Sequence, residues 1–86
     1  MIVHIPSPLL SYTDQETPVE AQGNSLIEVL HDLDGRYAGF MNRVIDEQGG
    51  IREHIRFFLN TDLEEDLEAS LGGVHEVHII CALSGG

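Results

Sequence analysis

The chain has 86 residues, with four arginines, no lysine and fifteen acidic residues, for a formal charge of −11. That length accommodates one domain with a modest core. The charge opposes binding to nucleic acid or anionic lipid, which calls for clustered cations; it either favours a basic protein partner, whose encounter it would accelerate, or serves only to keep a small domain soluble.

No apolar run approaches the roughly 20 residues that span a bilayer. Residues 1–6 carry no basic residue ahead of their apolar stretch, so they are expected to form a strand and not a signal peptide. The one cysteine, Cys81, excludes an internal disulfide and fits a reducing compartment. The expected location is cytoplasmic.

In chain order, residues 2–5 alternate, with Val3 and Ile5 on one face and His4 on the other, as a first strand would. Pro6 and Pro8 end its pairing, residues 12–15 read as a turn, and residues 17–21 as a short second strand at an edge. Ser25 and Glu28 form an S-x-x-E capping box, and Leu26, Val29, Leu30 and Leu33 follow as one apolar stripe of a helix. Gly35 weakens that helix and Gly39 is its expected stop.

Residues 40–45 read as a further short turn of helix with Phe40, Met41, Val44 and Ile45 as its apolar side, and Gln48-Gly49-Gly50 as a turn. Residues 51–60 are predicted as a strand with Ile55, Phe57 and Leu59 on one face, and His54, Arg56 and Phe58 on the other. Residues 61–70 are acidic and are expected to be irregular. Leu71-Gly72-Gly73 is a turn, and residues 74–81 form the last strand, with Val77 and Ile79 facing one way and His78 and Ile80 the other. Residues 82–86 are expected to be a flexible tail of mostly small residues.

The order is strand, strand, helix, strand, strand. An N-terminal hairpin, a crossing helix and a last strand running parallel beside the first make an α+β, ubiquitin-like β-grasp with a mixed sheet, and one domain over 1–86.

The ending Glu76-Val77-His78-Ile79-Ile80-Cys81-Ala82-Leu83-Ser84-Gly85-Gly86 resembles that of the MoaD/ThiS sulfur carriers. Phe58-Leu59-Asn60 is similar to a strand-ending step of the same family. Residues 37–46, through Gly50 and Arg52, are similar to its longer members, the molybdopterin synthase small subunit and the mycobacterial carrier for cysteine biosynthesis. The chain departs from the family in three places. Cys81 replaces a common proline, Gly73-Val74-His75 replaces a Gly-Asp pair, and residues 60–71 are shorter than in the longer members.

The resemblance implies a protein co-substrate and not a stand-alone enzyme. The Gly86 carboxylate would be adenylated by an activating enzyme of the MoeB/ThiF type, which uses ATP. A sulfur donor would then convert it to a thiocarboxylate for molybdopterin, cysteine or related biosynthesis. No cofactor would be bound, and a larger synthase subunit is a possible partner.

Gly85 and Ser84 suit a tether that enters a narrow channel, since glycine has no Cβ to clash there. Leu83 would anchor the tether's base. By strand parity Phe58 and Ile80 lie on the uncovered sheet face, as partner-interface candidates.

Two other readings stay open: a protein modifier conjugated through Gly86, and a binding module whose glycines are incidental. With no lysine, such a modifier cannot build lysine-linked chains of itself.

Other chemistries are weaker. His75 and Cys81 are separated by roughly 20 Å along a strand and His78 faces the other way, so these three cannot share a metal, and no metal site is expected. Nothing beside Cys81 in sequence would lower its pKa. Asp32 with Asp34, and the acids of 64–68, read as a solvated face.

Overall fold

In the computed structural model, residues 1–82 are described. They form strand β1 (Ile2–His4), a 3₁₀ segment (Ser7–Thr13), β2 (Val19–Glu20), helix α1 (Leu26–Arg36), helix α2 (Phe40–Val44), β3 (Ile55–Leu59), β4 (Asp62–Glu64) and β5 (Glu76–Cys81). The sheet order is β2-β1-β5-β3-β4, with β5 parallel to β1 and every other neighbouring pair antiparallel. The last strand therefore lies at the centre, as a β-grasp requires.

Local chemistry explains the elements. Ser25 caps α1 by accepting the Glu28 N–H at 3.4 Å, while the Glu28 carboxylate takes the Asn24 N–H at 2.8 Å, one residue short of the usual reciprocal partner. The stripe Leu26, Val29, Leu30 and Leu33 is fully buried. It packs on Val3, Phe57, Leu59, Val77 and Ile79 from the inner face of the sheet. Phe40 and Val44 of α2 join the same core, so the 36–50 segment lies on the helix side and leaves the outer sheet face uncovered.

Gly39 does not stop α1, which ends at Arg36. At φ +89° Gly39 instead precedes α2, whose Met41 N–H is accepted by Asp34 at 3.0 Å. Asp46 takes the N–H groups of Gln48 and Gly50, each at 2.9 Å, which makes the 46–50 turn.

Three expectations are corrected. Residues 7–13 wind into a 3₁₀ segment where the sequence predicts only a turn at 12–15, with Thr13 buried and its hydroxyl donating to the Glu16 carbonyl at 2.8 Å. The strand predicted over 51–60 begins at Ile55, because residues 51–54 bend back, with Ile51 bridged to Ile45 and Ile55 N–H bonded to the Arg52 carbonyl. The acidic stretch expected to be irregular contains β4. There Asn60, in the left-handed region at φ +56°, reverses the chain so that residues 62–64 pair back on β3.

Candidate functional site

The site expected from sequence is the end of β5, so what holds that end is decisive. Five register pairs bind β5 to β3, from Leu59↔Val77 to Ile55↔Cys81. Past the strand, the Ala82 N–H donates to the His54 carbonyl at 2.7 Å. The chain is thus anchored up to Ala82. Leu83, Ser84, Gly85 and Gly86, the expected tether and its reactive carboxylate, lie outside the described residues.

The start of β5 is held by Asn60. Its Oδ1 accepts the N–H groups of His75 at 2.9 Å and Glu76 at 3.2 Å, while its own N–H donates to the Glu76 carbonyl at 2.8 Å. The apolar-Asn step of the sequence is therefore a clamp at the entry of the strand that carries the tail.

The outer sheet face holds the expected interface residues. Ile80 is 43% exposed and Phe58 is half-buried. Leu63 of β4, 51% exposed, joins them. The register places Leu63, Phe58, His78 and His4 in one row across β4, β3, β5 and β1. Leu63 escaped the sequence reading because its strand did. Its hint in the sequence is slight, since Leu63 is one of two leucines in an acidic run.

At the far end of that row His4 and His78 stack face to face, with centroids 4.3 Å apart and rings 4° from parallel. Glu76 Oε1 lies 2.5 Å from His4 Nε2. The hydrogen bond from His4 holds the Glu76 carboxyl below its ordinary range, against a smaller opposing effect of burial.

The remaining candidates have local roles. Burial pushes the Cys81 thiol up, away from the thiolate a nucleophile needs. Asp32 accepts from Arg36 at 3.1 Å and from the Gln22 N–H at 3.0 Å. Asp66 takes the Glu68 N–H at 2.9 Å and donates its own N–H to Glu64.

All four arginines donate within the chain: Arg36 to the Glu20 carbonyl, Arg43 to the Tyr12 hydroxyl, Arg52 to the Asn42 carbonyl, and Arg56 to the carbonyls of Glu53 and Ile55. Among the described residues no helix is long and apolar enough to cross a membrane.

No family model and no curated protein matches this sequence. Solved structures do. A chain of the BexX/CysO complex of Amycolatopsis orientalis matches with a TM-score of 0.88 and 30% identity, over 99% of this chain and 98% of that one. CysO of Mycobacterium tuberculosis, an antigen, matches with a TM-score of 0.87 and 25% identity, over 95% of this chain and 98% of its own. SAMP1 from Haloferax volcanii shares the fold at a TM-score of 0.77 and 20% identity, over 100% of this chain and 98% of its own.

Proposed function

The chain belongs to the MoaD/ThiS family of ubiquitin-like β-grasp sulfur carriers, and on that premise we propose that Gly86, the last residue of the sequence, carries sulfur as a C-terminal thiocarboxylate. A free carboxylate is a poor acyl donor. Its oxygen would attack the α-phosphorus of ATP on an activating enzyme, and pyrophosphate would leave. Hydrosulfide from the sulfur donor would then attack the acyl-adenylate carbonyl and AMP would leave, giving the thiocarboxylate with no change of oxidation state. The thiocarboxylate sulfur would then displace a leaving group from an electrophilic carbon of the acceptor, and water cleaving the acyl–sulfur bond would return the Gly86 carboxylate.

In this scheme the chain is a co-substrate, and its contribution is presentation. The single observation that carries the reading is the end-to-end likeness at 30% identity to a chain of the BexX/CysO complex. The geometry supports it. Ala82 is tied to His54 at the end of the central strand, and the four residues beyond it reach at most about 14 Å when extended. That reach suits insertion into a partner's channel while the partner grips the outer face at Phe58, Leu63 and Ile80. We assign the partners as an adenylating enzyme of the MoeB/ThiF type, a sulfur donor, and a larger protein that uses the sulfur. Of the acceptors the family serves, the two CysO-containing neighbours favour a cysteine route over a molybdopterin precursor.

The test is intact mass spectrometry after incubation with ATP, the cognate activating enzyme and a sulfur donor. The expected result is a mass gain matching exchange of one oxygen for sulfur, abolished by deleting Gly86. No gain with a competent enzyme rejects the reading. Recovery of Gly86 joined to lysines of other proteins would support the modifier reading in its place.

A further inference from the structure

We propose that the outer sheet face carries a binding site for one divalent transition-metal ion such as zinc, built from His4 on β1 and from Glu76 and His78 on β5. Spacing along one strand rules out a shared metal for His75, His78 and Cys81, but it says nothing of a residue 74 positions away. The parallel register sets His4 directly beside His78, and Glu76, two residues earlier on the same face, reaches across to His4.

One donor atom from each side chain lies within 4.8 Å of the other two. A tetrahedral metal with nitrogen and oxygen donors at about 2.0–2.1 Å holds them roughly 3.4 Å apart. Starting from 2.5 Å for the Glu76–His4 pair and at most 4.8 Å for the others, each pair needs to move by no more than about 1.5 Å. Side-chain torsions supply that freely, since the His4 and Glu76 side chains are 35% and 47% exposed. A metal binds in the plane of an imidazole ring, so the stacked pair must open, the two rings turning about their side-chain torsions until a nitrogen of each aims at one ion.

Two imidazoles and one carboxylate are a donor set that suits zinc, and they leave a fourth position for water. The backbone beneath is rigid. β1 and β5 are paired at the centre of the sheet, and the Asn60 clamp holds the Glu76 N–H. The chain's charge of −11 raises the local concentration of cations.

The experiment is calorimetric titration of the metal-free, full-length protein with Zn²⁺, with histidine ring resonances followed by NMR. The expected result is saturable binding of one ion per chain, with the His4 and His78 ring signals moving together. His4→Gln and His78→Gln should each weaken affinity at least tenfold, a change that even the outer partners of metal ligands commonly produce. His54→Gln and His75→Gln should leave binding unchanged, and all four variants should keep the wild-type circular dichroism. Absence of saturable binding overturns the proposal, as does binding that survives His4→Gln or His78→Gln, or that is lost with His75→Gln.

Discussion

Replacing Asn60 tests whether a single side chain sets the entry of the strand that carries the tail. In Asn60→Ala the N–H groups of His75 and Glu76 lose their acceptor. Both bonds are partly exposed to solvent, so each is worth the low end of the usual range, about 0.5–1 kcal/mol. Alanine must also hold φ +56°, a left-handed conformation that costs it roughly 1 kcal/mol. The expected loss is about 2–3 kcal/mol, a large share of the roughly 4–13 kcal/mol that stabilises a chain of this size.

Two companions separate the causes. Asn60→Gly loses the hydrogen bonds but not the conformational freedom, and should be about 1 kcal/mol more stable than the alanine variant. Asn60→Asp keeps an acceptor for both N–H groups and should lose less than about 1 kcal/mol. Urea unfolding followed by circular dichroism reads all three. An alanine variant within about 0.5 kcal/mol of wild type, or a glycine variant no better than alanine, refutes the clamp.

Two glycines should respond with opposite signs in the same assay. A Cβ at Gly23 would lie 2.8 Å from Glu28 Cβ and from the Val29 backbone nitrogen, so Gly23→Ala should cost about 1–3 kcal/mol. Gly35 lies inside α1 with nothing within 4 Å of a new Cβ, so Gly35→Ala should stabilise by roughly 0.5–1 kcal/mol.

The Asp46 carboxyl is held below its ordinary value, chiefly by the Gly50 N–H and then by that of Gln48. A depressed folded-state pKa means this stabilisation is present above the unfolded-state pKa and is lost as pH falls through the folded one. NMR titration of the Asp46 carboxyl carbon should give a midpoint below that of an unstructured peptide, and a midpoint at or above it contradicts the turn geometry.

On the outer face, Phe58→Ala combined with Ile80→Ala should weaken binding to the activating enzyme about tenfold or more while leaving the fold's circular dichroism intact. Unchanged affinity measured by calorimetry would place the partner elsewhere.

Much of this protein was legible in the order of its residues. The α1 stripe, the β3 face and the β5 face announce themselves, because an apolar period of 3.6 or 2 is written locally. The family ending is equally local, a strand followed by small residues and Gly-Gly. What the sequence hid were features set by pairing across the sheet. β4 is three residues of acidic sequence with no pattern of its own, and it exists because Asn60 turns the chain back against β3. Leu63 becomes part of the outer face only through that pairing. His4 and His78 are strangers in sequence, and either alone is an ordinary strand histidine. Only the parallel register of first and last strands brings them together with Glu76, because a hydrogen-bond ladder between distant segments leaves no mark on the residues between them.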